Sequence, residues 1–272
     1  MAKDLESRIS NRTPENNGQA PLGTLIQNMQ GEFQKAAPKG MEATQLVRDA
    51  LTCLRQTPQL AECDPQSVLG SLMSCAQLGL RPGVLGHAWL LPFWDGKTRS
   101  RKAQLVIGYL GLVELAHRSG QIQSLIARTV YELDEFHVEY GLDDKLVHIP
   151  CLKASKGKPV AYYAVAKMVN GGHAFVVMGH NEMLAYRDNH ATAKNRDGVV
   201  FGPWKDDFQS MAHKTCVRQL AKWLPKSTDF SRALDVDNSV RVDLAPTAVD
   251  YTEHPEGHVD EDAGPVEGEV VE

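Results

Sequence analysis

Between Gln77 and Ile122 the chain reads QLGLRPGVLGHAWLLPFWDGKTRSRKAQLVIGYLGLVELAHRSGQI, and no other stretch restricts the fold as much. Two apolar runs, His87 to Trp94 and Ala103 to Tyr109, are rich in aromatic and β-branched residues, with the turn dipeptide Asp95-Gly96 between them. A β-hairpin satisfies all three segments. Its tip collects Lys97, Arg99, Arg101 and Lys102. Cations this close repel one another, so the tip calls for a polyanion, and nucleic acid is the first candidate.

Helices lead into the hairpin. Leu22, Leu25, Ile26, Met29 and Phe33 recur at spacings of three and four and predict one amphipathic helix over Pro21 to Ala37. A second helix follows Glu42 with the stripe Leu46, Val47, Ala50, Leu51 and Leu54, ending near Pro58. The third is the best punctuated: Asp64 as N-cap, Pro65 at the first helical position and Gly79 as left-handed C-cap. Behind the hairpin, Gly111 to Ser119 reads as a helix closed by Gly120. SLIARTVYEL, FHVEY, VAYYAVAKMV and HAFVVMG then alternate as strands of an antiparallel sheet, turned at Asn170-Gly171-Gly172. Strands that neighbour one another in sequence favour an α+β fold.

A long basic C-terminal helix is expected from Trp204 to Trp223. Measured from Phe208, Ala212, Cys216, Leu220, Trp223 and Leu224 share one face, while Lys214, Arg218 and Lys222 share another that holds no acid. A row of one sign is read as a stripe tracking phosphates. The segment before it, RDNHATAKNRDGVVFGPWKDD, carries Lys194, Arg196 and Lys205 and reads as a mobile loop. Trp204 reads as a packing anchor in preference to a base-stacking residue. For Trp94 and Tyr109, strand alternation leaves core packing and a base-stacking platform both open.

The net charge of −5 would argue against a nucleic-acid partner if it were evenly spread. It is not: from Asp243 to the end there are ten acids and no Lys or Arg, which leaves residues 1–242 at +5. The division expected from charge is therefore a flexible N-terminus over 1–20, one basic domain over 21–242 suited to a polyanion, and a disordered acidic tail over 243–272.

Several chemistries fit poorly. No apolar run is long enough to span a bilayer and the N-terminus lacks a signal-peptide core, so a cytoplasmic protein is expected. Five cysteines without a CxxC pair read as reduced, buried residues. Gly96-Lys97-Thr98 resembles the end of a nucleotide-binding loop, but Leu91 stands where that loop needs its first glycine. His173, His180, Asp188, His190 and Asp197 cluster in sequence without a diagnostic metal spacing, which keeps a metal-dependent nuclease as the rival reading. A sequence-specific DNA-binding regulator is the third, without helix-turn-helix or zinc-finger spacing behind it.

The order LGLRPG, LGHAWLLPF, QLVIGYLGLVELAHRSGQI and VYELDEF resembles the core signature of the RecT family of phage single-strand DNA annealing proteins. The likeness continues through YGLDDKLVHIP, GKPVAYYAVAKM, FVVMGHNEM and PWKDDFQSMAHKTCVRQLAKWLP. Where relatives often carry a basic residue after the Gly-Tyr and a basic pair before the Ser-Gly, this chain has Leu110 and His117-Arg118. The resemblance implies a RecT-like fold and annealing in phage-type recombination without ATP, cofactor or catalysis, in the cytoplasm of a bacterial host. Its partners would be single-stranded DNA, the annealed duplex intermediate and further copies of itself in rings or helical filaments. The acidic tail has three readings: a solubilising appendage, a competitor with DNA for the basic surface, or, as the resemblance suggests, the segment that recruits an exonuclease or the host single-strand-binding protein. Candidate DNA ligands are Lys97, Arg99, Arg101, Lys102, Tyr109, Arg118, Arg128, Lys194, Arg196, Lys205, Lys214, Arg218 and Lys222.

Overall fold

A computed structural model describes residues 20–191, 194, 198–225, 227–241 and 244. Helices α1 (Leu22–Asn28), α2 (Gln30–Ala36) and α3 (Ala43–Gln56) precede α4 (Pro65–Leu78), around which the first half of the chain is packed. The start of α4 follows from its sequence: the Asp64 carboxylate accepts from the backbone N–H groups of Gln66 and Ser67 at 3.4 and 3.2 Å. Gly79 ends it at φ 63°, in the left-handed region.

From Ser67 to Leu78 every residue of α4 is buried, so its polar side chains need internal partners. Ser67 Oγ accepts from Ala103 N at 2.9 Å, Ser71 Oγ donates to Ala103 O at 3.4 Å, and Gln77 Oε1 accepts from Arg241 Nη1 at 2.7 Å. A polar seam therefore joins α4 to the hairpin and to the end of the described chain. Gly70 makes the approach possible, because a Cβ there would lie 2.0 Å from the Arg241 carbonyl oxygen.

Strands β1 (Ala88–Asp95) and β2 (Ser100–Ile107) form the expected hairpin, in antiparallel register from Ala88 opposite Ile107 to Asp95 opposite Ser100. Pro92, which has no N–H, is tolerated because at that position β1 pairs with β2 on one side and, among the described residues, with no strand on the other. After the hairpin comes α5 (Tyr109–Arg118). Next are β3 (Ile122–Tyr131), β4 (Glu135–Glu139), β5 (Lys145–Ile149), β6 (Pro159–Met168) and β7 (His173–Gly179). The chain then continues through α6 (His180–His190), α7 (Pro203–Asp206), α8 (Phe208–Leu220) and α9 (Thr228–Val236). Helix α8 packs on the three-stranded sheet β3-β6-β7.

The α+β class and the antiparallel pairing stand, with corrections. The strands after the hairpin form two sheets, because among the described residues β4 and β5 pair only with each other. Phe136 and Leu146 of that second hairpin pack against Val130, Ala161 and Tyr163, covering one face of the larger sheet. It is pinned by Asp134, whose carboxylate accepts from Cys151 N at 2.7 Å and Tyr131 N at 2.8 Å and lies 3.1 Å from His148 Nε2. Burial works against the Asp134 charge, but those backbone donors and His148 outweigh it and hold the carboxyl down to about 2.

Three helices also differ from expectation. The first is interrupted at Met29. The late helix is broken at Asp207, whose side chain caps Ser210 N at 3.0 Å, and it ends at Leu220 rather than Trp223. His180 to His190 is helical, although its second half carries the polar composition of a loop. The N-terminus expected to be flexible over 1–20, apart from Ala20, and the acidic tail, apart from Leu244, fall outside the described residues.

Candidate nucleic-acid interface

The hairpin tip is organised by Asp95, which is 8% exposed. Its carboxylate accepts from Lys102 Nζ and Thr98 Oγ1, each at 2.7 Å, and from Lys97 N at 3.0 Å. The hydrogen bonds from Lys102 and then Thr98 hold the Asp95 carboxyl far below the usual carboxylate range. The four tip cations thus separate into two kinds. Lys102 is spent on Asp95, and Arg101 lies 3.6 Å from Glu62. Lys97 and Arg99 are exposed, and among the described residues no ion pair engages them. Arg99 adopts φ 51°, a conformation that costs a non-glycine residue energy and here sets the last turn residue before β2.

The second basic wall is not where the sequence placed it. Lys214 is 4% exposed and its ammonium lies 2.8 Å from Asp237 Oδ1, while Arg218 Nη1 reaches Asp237 Oδ2 at 2.5 Å. Asp237 also accepts from Ile107 N at 2.8 Å. Burial pushes the Lys214 ammonium down from its ordinary range, with the Asp237 charge opposing that shift. Lys214 is therefore an interior ion-pair partner, a correction to the expected exposed stripe: the compensating acid follows α9 rather than lying on α8. Of that row only Lys222 is fully at the surface, with Nζ 2.6 Å from Gln219 Oε1. Trp223, expected on the packed face, is 76% exposed because it lies past the helix end.

The remaining candidates are scattered. Arg118 closes α4, donating to the carbonyls of Leu78 and Gly79 at 2.7 and 2.8 Å. The tip lies by the other end of α4, where Asp64 N donates to Arg101 O at 2.7 Å, so Arg118 and the tip are separated by about 20 Å of helix. Arg128 is exposed and stands directly opposite Tyr163, on the sheet face that carries the β4–β5 hairpin, away from α8. Lys205 is exposed, Lys194 donates to the Asp188 carbonyl, and Arg196 lies outside the described residues.

Tyr109 is half-buried, edge-on to His213 with ring centroids 5.7 Å apart. His213 lies 3.0 Å from Thr129 Oγ1, and burial pushes its imidazole below the ordinary histidine value. From there an aromatic belt runs through Tyr162, Phe208 and Trp204 to Tyr186, on which His190 stacks at 4.0 Å. Trp204 packs within it, as its reading as an anchor required. The sequence did not disclose this belt, whose members come from a strand and three helices.

The histidines of the metal reading are engaged elsewhere. His173 Nε2 lies 3.2 Å from Asp144 O and His180 Nδ1 lies 3.1 Å from the Tyr162 hydroxyl. Among the described residues no group of three or more His, Cys, Asp or Glu is placed to hold a metal ion, and none of their helices is long and apolar enough to cross a membrane. Four of the five cysteines are buried and Cys151 is partly so.

The family model of RecT matches residues 44–250, from α3 past the Asp237 cluster. The chain belongs to the RecT family, whose members are annealing proteins of DNA recombination. It is 39% identical over 249 residues to Protein RecT of Escherichia coli (strain K12), covering 89% of this chain and 90% of that one. Similarity extends at 27% identity over 249 residues to the uncharacterized protein YqaK of Bacillus subtilis (strain 168), covering 86% of this chain and 81% of the relative. The match spans both the hairpin and the α8–α9 unit that braces it, so the tip and its support belong to the same family unit.

Proposed function

We propose that this RecT-family chain binds single-stranded DNA and anneals it to a complementary strand without ATP, acting as a ring or helical filament of identical subunits. The observation that carries the reading is the hairpin tip, where Lys97 and Arg99 face solvent without an ion-pair partner among the described residues. Cations held in this way neutralise backbone phosphates and lower the repulsion between two strands, while base pairing supplies the specificity. Arg101 contributes from a position shared with Glu62, and Lys222 and Lys205 extend the basic surface. Lys214 and Lys102 act from within, as charges that fix the scaffold. Recruitment of a recombination nuclease or a single-strand-binding protein falls to the acidic segment after Asp243 in this reading.

The test is the salt dependence of oligonucleotide affinity. Each phosphate contact to single-stranded DNA contributes about 0.7 to the slope of log affinity against log salt. Replacing Lys97 and Arg99 together by Ala is expected to reduce that slope by about 1.4 and to weaken binding uniformly across sequences. An unchanged slope would remove the tip from the DNA path.

A further inference from the structure

The chain returns to the hairpin after α9. Asn238 N donates to Leu105 O at 2.9 Å and Leu105 N donates to Ser239 O at 3.0 Å, so this segment adds to the outer edge of β2 in antiparallel sense. Gln104 Nε2 secures it, donating to Asn238 O at 2.6 Å. β2 runs away from the tip, so a segment antiparallel to it runs toward the tip. Leu105 is five residues from Ser100, or about 17 Å at strand rise. The Arg241 carbonyl then lies over Gly70 of α4, and Arg241 Nη1 donates to Gln77 at 2.7 Å. The root of the C-terminal segment is thus fixed beside the hairpin and aimed along it.

Beyond that root the chain is complementary in charge to the tip. Residues 245–272 hold nine carboxylates and no Lys or Arg. Fully extended, 28 residues span roughly 95 Å, several times the distance to the tip. A tether of this length presents its far end at millimolar effective concentration. Lys97 and Arg99 are the exposed tip cations without a carboxylate partner among the described residues, whereas Lys102 and Arg101 have Asp95 and Glu62.

We propose that the acidic segment 245–272 of the same chain docks on Lys97 and Arg99 and competes there with the phosphates of single-stranded DNA. This rests on the reading of the tip as a DNA contact. The segment acts as an internal mimic of the polyanion: it screens the tip against weak, nonspecific polyanions and is displaced where a strand makes several phosphate contacts at once. For a contact of about millimolar intrinsic strength, the expected penalty on oligonucleotide affinity at low salt is roughly two- to tenfold. The penalty fades as salt rises, because both contacts are screened.

The test uses the full-length protein and a full-length variant in which the nine carboxylates at 245–272 are converted to amides (Asp to Asn, Glu to Gln). Zero-length carbodiimide coupling, mapped by mass spectrometry without DNA, reads the contact itself. The proposal expects Lys97 joined to a carboxylate of the C-terminal segment, loss of that product when an oligonucleotide is present during the coupling, and tighter oligonucleotide binding by the amide variant at low salt only. Coupling confined to lysines away from the tip, or unchanged affinity of the amide variant at low salt, overturns it. In mixed isotope-labelled and unlabelled protein, products formed exclusively between copies overturn the same-chain assignment. If no Lys97 coupling occurs yet oligonucleotide still protects Lys97 from acylation, the docking alone fails. If Lys97 couples and saturating oligonucleotide leaves the product unchanged, the DNA reading of the tip fails, and the competition fails with it.

Discussion

Asp237 to Asn is the perturbation whose cost can be derived most directly from the structure. The Asp237 side chain is wholly buried and accepts from Lys214 Nζ, Arg218 Nη1 and Ile107 N, tying α8 and β2 to the end of α9. Asn preserves the shape and one acceptor but removes the charge. Lys214, with a side chain 5% exposed, is left as a buried ammonium without its counter-charge, whereas Arg218 at 32% can turn to water. Breaking a buried pair from one side costs about 3–5 kcal/mol. That is a large fraction of a total stability of about 5–15 kcal/mol. At about 2–4 °C per kcal/mol for a domain of this size, the melting midpoint should fall by roughly 6–20 °C. Thermal and urea unfolding followed by circular dichroism measure it. Adding Lys214 to Met removes the stranded charge and should recover more than half of the loss, since apolar replacement of a whole buried pair is often neutral. A single variant within about 1 kcal/mol of wild type, or a double variant no better than the single, would refute the account of Asp237 as the counter-charge.

Other outcomes rest on the same geometry. Gly70 to Ala places a Cβ 2.0 Å from the Arg241 carbonyl, so the C-terminal segment must shift; a loss of roughly 1–3 kcal/mol in urea unfolding is expected, as for overpacked sites. His213 has its imidazole pushed down by burial, so the unfolded chain takes up a proton that the folded chain refuses. Stability should therefore be present in full above about pH 6.5 and fall as pH drops below it, and His213 to Gln should flatten that part of the pH profile of the urea midpoint. Trp204 to Ala should cost about 3–5 kcal/mol as a core deletion, while Trp223 to Ala should stay within about 0.5 kcal/mol, both read by chemical unfolding.

The parts of the fold legible in the sequence are those written in short-range chemistry. Asp64, Pro65 and Gly79 fix both ends of α4 from within a few residues, and Asp95-Gly96 fixes the turn between two runs that suit no other structure. Helix α6 escapes such a reading because HNEMLAYRDNH carries no clear apolar stripe, its one buried residue being Met183. The face assignment of α8 fails for a different reason. A helical wheel states which residues share a side, not what packs on it, and Asp237 comes from 19 and 23 residues beyond Arg218 and Lys214. Read without that partner, a buried charge looks like an exposed one. The tip cations carry the same ambiguity at smaller scale: Lys102 turns inward to Asp95 while Lys97, five residues away, does not.

The most direct test of the central claim mixes two complementary oligonucleotides with the protein in the absence of ATP and follows duplex formation. The account predicts acceleration by the wild-type chain and its loss when Lys97 and Arg99 are both Ala, with the melting midpoint unchanged because neither side chain is engaged in an ion pair among the described residues. No acceleration by wild type, or full acceleration by the variant, would contradict it.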